Sequence, residues 1–106
     1  MPSPTTETRA LRMVITHHRS QVQGVLDRYS ARNPRLFGSV ARGDATATSD
    51  LDVLVDLDPA GGNPLMRLAG IAEELTNLLG VRVDVVAEPL LREPVSVTAR
   101  ADLVPL

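Results

Sequence analysis

Leu36-Phe37-Gly38-Ser39-Val40-Ala41-Arg42-Gly43, followed after a polar loop by Ser49-Asp50-Leu51-Asp52-Val53-Leu54-Val55, is the stretch on which the reading of this chain turns. An apolar lead-in ends in Gly-Ser. Glycine lets backbone approach a ligand closely. Backbone N–H groups at a strand-to-helix turn make an anion-binding nest, and the Ser39 hydroxyl adds one more donor. Ten residues, Val40 to Ser49, separate this turn from Asp50. Asp50 and Asp52 then open an apolar strand. Residues two apart in a strand point to one face, so the two carboxylates sit about 6–7 Å apart along the backbone. Like charges that close disfavour double ionisation. A divalent cation removes that cost, and Mg²⁺ typically takes one or two carboxylates together with waters and phosphate oxygens.

A third carboxylate interrupts another apolar strand, Val81-Arg82-Val83-Asp84-Val85-Val86. A charge there needs a partner. If this strand lies beside the Asp50–Leu57 strand, Asp84 completes a three-carboxylate cluster. Such a cluster suits two metal ions about 3.5–4 Å apart, one on the attacking oxygen and one on the leaving phosphate. Asp56 and Asp58 share the parity of Asp50 and Asp52, but they lie four or more residues further on, about 13 Å or more at strand rise. They are read as solvated.

Each piece also has a plainer reading. Gly-Ser is an ordinary turn, Ser-Asp-Leu-Asp a solvated strand start, Asp84 a buried ion-pair partner of an arginine, and Arg42 a surface residue. His17 and His18 lack metal-type spacing and read as helix surface, while Tyr29 and Phe37 read as core. It is the joint occurrence of Gly-Ser and the aspartates, in order and on suitable elements, that points to chemistry.

The rest of the chain reads as scaffold. Leu11, Val14, Ile15 and His18, then Val22, Val25, Leu26 and Tyr29, keep helical spacing. They predict one bent helix or two helices over about 5–30, breaking near Thr16-His17-His18. Residues 1–4 read as a loose tail in which Ser3 caps that helix and Pro4 occupies its first turn. Asn33-Pro34 ends the helical region. Short strands are predicted at Arg35–Phe37, Asp50–Leu57 and Val81–Ala87. Asn63 caps a helix opened by Pro64, striped by Leu65, Leu68, Ala72, Leu75 and Leu79, and stopped by Gly80. A short helix from Glu88-Pro89, a segment Val95–Ala101 and an edge strand or docked tail at Leu103–Leu106 complete the reading. The expected fold is α/β (α+β): a small mixed sheet packed by helices, in one domain over residues 1–106.

Composition narrows the function classes. The chain has 106 residues and a net charge of −2, without the basic face of a nucleic-acid binder. All 11 basic side chains are arginine, which suits phosphate contacts but equally reflects a GC-rich genome. Absence of cysteine excludes disulfides and thiolate chemistry. Only Tyr29 and Phe37 are aromatic, too few for base-stacking platforms. No membrane-length apolar run and no signal-peptide pattern are present, so the expected location is cytoplasmic.

Together, Phe37-Gly38-Ser39, the ten-residue gap, Asp50-Leu51-Asp52 and Asp84 resemble the DNA polymerase β-like nucleotidyltransferase superfamily. The fuller form, Gly38-Ser39-Val40-Ala41-Arg42-Gly43 with Ser49-Asp50-Leu51-Asp52, is similar to the minimal nucleotidyltransferases (MNT) of bacteria and archaea. The resemblance covers about residues 35–106. It implies a polymerase β palm-like fold and transfer of a nucleoside monophosphate from a triphosphate, ATP, to a hydroxyl. It implies that Asp50, Asp52 and Asp84 are catalytic and hold Mg²⁺, with two ions. It places the triphosphate at Gly38 and Ser39, with Arg42, Gly43 and Ser49 around it. MNT proteins are typically encoded beside a HEPN-domain RNase toxin and act as its antitoxin, and members transfer AMP to a toxin tyrosine. The resemblance therefore implies a HEPN-type partner and leaves a homo- or a hetero-oligomer open. Larger relatives hold their acceptor on further domains, for which this chain has no room. Two alternatives stand beside this reading: an antitoxin that neutralises by binding alone, and a small-molecule transferase of the aminoglycoside type. The departure from the pattern is Pro94, which disturbs a regular last helix.

Overall fold

The computed structural model describes residues 3–87 and 104–106. Two helices open the chain, α1 (Thr6–His17) and α2 (Arg19–Arg28), and the break falls at His18, within the segment predicted from periodicity. The cap differs from expectation. Thr5, not Ser3, caps α1, its side chain accepting from the Thr8 N–H. Thr5 is also tied across the fold, its Oγ1 donating to the Ala45 carbonyl at 2.6 Å. That contact selects the cap.

Strand β1 (Ala31–Phe37) begins four residues earlier than the sequence predicts. Asn33-Pro34 does not end a helix before the strand; it lies within the strand, at an irregularity of register between Arg32 and Arg35. Asn33 has a φ of 54°. A bulge is where a strand tolerates a proline, because no ladder N–H is needed there. Arg35 pins the bulge, donating from Nε to the Asn33 carbonyl and from Nη2 to Asp56 at 2.6 Å. Asp56 is thus an ion-pair partner rather than merely solvated.

Then follow the short helix α3 (Gly38–Arg42), strand β2 (Leu51–Leu57), a 3-10 turn at Pro59–Gly61, helix α4 (Pro64–Leu79), and strands β3 (Val83–Ala87) and β4 (Val104–Pro105). Helix α4 has the predicted bounds, with the Asn63 side chain accepting from the Met66 N–H. Its stripe is rotated from expectation: Leu65 is 65% exposed, and Ile71 and Arg67 are buried instead. The Arg67 guanidinium reaches back to the carbonyls of Tyr29, Asp58 and Gly62. These contacts turn the first turn of α4 towards the loop below it.

The sheet order is β3-β2-β1-β4. β1 is antiparallel to β2 and β4, while β2 and β3 run parallel. A parallel pair needs a crossover, and α4 supplies it. Leu51, Val53 and Val55 of β2, with Val83, Val85 and Ala87 of β3, face the core. Ile15, Val22, Val25, Leu26, Leu68, Ile71, Leu75 and Leu79 of the helices meet them. Strand alternation therefore sends Asp52 and Asp84 to the opposite face. The expected edge strand near the C-terminus is present at Val104–Pro105. The short helix at Glu88-Pro89 and the segment Val95–Ala101 lie outside the described residues.

Candidate active site

Phe37 pairs with Asp52, and Asp52 with Asp84, so these three residues form one row across β1, β2 and β3. Neighbouring strands lie about 4.8 Å apart. The register thus places two carboxylates side by side at the end of β1 where Gly38 begins α3. The sequence makes a three-carboxylate cluster conditional on β3 lying next to β2; the strands are neighbours, and the register pairs Asp52 with Asp84.

Gly38 shows how tightly the turn packs against that row. Its φ is +74°, and a Cβ there would lie 2.3 Å from Asp52 Oδ2. Any side chain would fill the space directly over the carboxylate. Gly43 closes α3 in the left-handed conformation at φ 86°, and its N–H bonds the Ser39 carbonyl at 3.0 Å. The Gly-Ser turn and the helix it opens are therefore bounded at both ends by glycine.

Burial is the first cause that raises the Asp52 pKa, to about 6. The charges of Asp84 and Asp50 add to it, and the Arg42 cation opposes it. Desolvation penalises the charged form of a carboxyl, and nearby like charges do the same. A carboxyl held in that condition is a common mark of a functional site.

The remaining predicted residues fall around this centre. Asp50 lies just before β2, with its Oδ2 3.7 Å from Arg82 Nε. Its charge acts on Asp52, yet among the described residues no group of three His, Asp or Glu side chains is arranged to hold a metal ion, so the expected three-carboxylate cluster is reduced to the Asp52–Asp84 pair. Arg42 pairs with Asp44 at 3.3 Å and also acts electrostatically on Asp52. Ser49 braces the loop, its Oγ accepting from the Thr46 N–H at 2.8 Å. Gly43 holds the loop to α1, its carbonyl accepting from the Thr5 N–H at 2.9 Å. Ser49, Asp50 and Arg82 also line an open cleft of about 350 Å³ against Glu7 and Leu11 of α1. The donor set fits a hard divalent cation. Asp52 and Asp84 offer paired oxygens, and Mg²⁺ commonly completes its shell with water and phosphate rather than protein.

Three contributors escaped sequence reasoning. Arg12 Nη2 donates to the Val40 carbonyl at 2.9 Å and to the Ala41 carbonyl at 3.2 Å. Thr8 Oγ1, fully buried, accepts from the Ala45 N–H at 3.0 Å. Thr5 completes the tie to the same loop. These contacts span 28 to 40 residues, so no local pattern announces them. The only sequence signal is that Thr5, Thr8 and Arg12 follow one helical face at i, i+3 and i+7.

A model of the nucleotidyltransferase domain family matches residues 19–103. The chain belongs to the nucleotidyltransferase family. This nucleotidyltransferase is 32% identical over 91 residues to the protein adenylyltransferase MntA of Thermococcus cleftensis, covering 86% of this chain and 87% of that protein. A structure solved as a minimal nucleotidyltransferase matches it with a TM-score of 0.74 and 36% identity, over 91% of this chain and 95% of that one. A toxin–antitoxin structure with AMP-PNP shares the fold at a TM-score of 0.66 and 19% identity, over 81% of this nucleotidyltransferase and 69% of that chain.

Proposed function

We propose that this nucleotidyltransferase uses ATP and Mg²⁺ to transfer AMP to a hydroxyl of a partner protein, a HEPN-type RNase toxin for which it is the antitoxin. The observation that carries the chemistry is the row in which Asp52 and Asp84 stand side by side under Gly38. The likeness to a protein adenylyltransferase over most of both chains supports a protein acceptor.

In this reading the backbone at Gly38 and Ser39, with the Ser39 hydroxyl, donates to the β- and γ-phosphates. Asp50, Asp52 and Asp84 hold the cations, and Arg42 adds positive charge near the phosphates. Magnesium held there would supply positive charge that neutralises the triphosphate and makes the acceptor hydroxyl more acidic. Asp84, on the outer strand, faces the acceptor and takes its proton. The acceptor oxygen bonds the α-phosphorus, the bond to the β-phosphate oxygen breaks, and pyrophosphate leaves. Positioning and charge neutralisation supply most of the rate in such a reaction. The paired carboxylates favour this enzyme over a module that only binds, because charge crowding without use lowers stability.

The test is the intact mass of the neighbouring gene product after incubation with this protein, ATP and Mg²⁺. An Asp50→Asn, Asp52→Asn double variant runs in parallel. A gain of one or more AMP units with the unaltered protein alone supports the reading. A stable complex in both cases, with no mass gain, replaces it with neutralisation by binding.

A further inference from the structure

Helix α3 is five residues long. A helix that short does not hold itself, since nucleation costs more than one turn of hydrogen bonds returns. Its position therefore depends on contacts outside it. Val40 is fully buried and anchors one side. The Gly43 and Asp44 N–H groups both close on the Ser39 carbonyl at 3.0 Å. The last carbonyls of a helix have no partner within it, and Arg12 of α1 supplies one. Its Nη2 donates to both Val40 and Ala41. Among the described residues it is the one side chain that donates to the carbonyls of α3. Its Nε is shielded from solvent and has no hydrogen-bond partner among the described residues, so the hydrogen bonds of the guanidinium there are those to α3. A cation is also the charge that a helix C-terminus favours.

From this geometry we infer that Arg12 is a positioning residue for the Gly38–Ser39 turn, holding α3 from its far end so that the turn keeps its place over Asp52. The inference rests on the reading that this turn receives the triphosphate, and its consequence is that Arg12 sets nucleotide affinity without touching the nucleotide. The space at Gly38 leaves no slack, because the turn already lies against the Asp52 carboxylate. Displacement of this short helix about buried Val40 moves Gly38 and Ser39 directly. Arg12 lies outside the main core cluster, and its apolar stem is matched by methionine, so its removal leaves core packing in place.

The experiment compares Arg12→Met and Arg12→Lys with Arg9→Met, an exposed control on the same helix. Amide hydrogen exchange in the nucleotide-free protein reads the Gly43 and Asp44 N–H groups. Calorimetric titration with AMP-PNP and Mg²⁺ reads affinity. Arg12→Met is expected to expose those two amides selectively and to weaken AMP-PNP about tenfold, the usual weight of a hydrogen bond from a charged donor. Arg12→Lys, which keeps the charge, is expected to recover part of both. Unchanged exchange at Gly43 and Asp44 overturns the inference. So does a rise in exchange shared equally by all helices, which marks a general loss of stability. If the unaltered protein takes no AMP-PNP, the triphosphate reading fails, and the exchange measurement alone still decides whether Arg12 positions α3.

Discussion

Replacing Asp52 with asparagine is expected to stabilise this protein in the absence of divalent cations. The carboxyl has its pKa raised from an ordinary 3.8 to about 6, first by burial and then by Asp84 and Asp50. The folded protein therefore holds the Asp52 proton more tightly than the unfolded chain. Below pH 3.8 both states are protonated and nothing is lost. Between pH 3.8 and about 6 the unfolded chain ionises first, and stability falls. Above that range the full penalty stands. A shift of about two units at 1.36 kcal/mol each gives about 3 kcal/mol. Asp52 is only half-buried, so solvent screening reduces this to roughly 1–2 kcal/mol. Asparagine keeps the shape and removes the charge. At about 4–8 °C per kcal/mol for a domain of this size, Asp52→Asn should melt about 4–16 °C higher at pH 8 in EDTA. The gain should shrink to a small fraction at pH 4, just above the 3.8 at which the unfolded carboxyl titrates. Circular dichroism melts at both pH values check this. Equal melting temperatures at pH 8, or the same difference at pH 4, would refute the electrostatic argument.

Other substitutions test the scaffold around the site. Gly38→Ala combines a left-handed backbone, about 1–2 kcal/mol for an L-residue, with a Cβ placed against Asp52 Oδ2; it should lower the urea midpoint and abolish AMP transfer. Arg67→Met leaves the carbonyls of Tyr29, Asp58 and Gly62 without this donor. Loss of at least about 2 kcal/mol is expected by urea unfolding, and an unchanged midpoint would show that solvent replaces the guanidinium. Asn63→Ala removes the acceptor for the Met66 N–H and should cost about 1 kcal/mol, read from thermal melts, with AMP transfer unchanged.

Local signals made much of this legible. The Asn63 cap, Pro64 and Gly80 bracketed α4, and alternation placed Asp52 and Asp84 away from the apolar face of their strands. The Gly-Ser turn stood out because glycine lets backbone approach a ligand closely where a strand meets a helix. What resisted reading depends on distant partners. Asn33-Pro34 looks like a stop, yet Arg35 and Asp56 hold it as a bulge inside β1. Leu65 belongs to an apolar stripe by spacing, but the demands of Arg67 rotate the first turn and leave Leu65 in solvent. Ser3 and Thr5 are both plausible caps by chemistry, and the Ala45 carbonyl selects Thr5. Arg12 looks like any helix-surface arginine until α3 is folded beside it. Pairing of Asp52 with Asp84 depended on the crossover through α4, which joins strands that no local pattern relates.

That crossover divides the site along the chain. Gly38, Ser39, Asp50 and Asp52 precede the exposed turn at Asp58–Gly62, and Asp84 follows it. Neither half of the polypeptide contains the facing carboxylates, and their mutual repulsion exists only once both halves have docked. A protein nicked in that turn would therefore make a complementation pair with two chemical inputs. Mild acid or a divalent cation would favour reassembly, and alkaline chelating buffer would oppose it. Joining the fragments would be measurable as an equilibrium in its own right, separating the assembly of the centre from the folding of the unbroken chain.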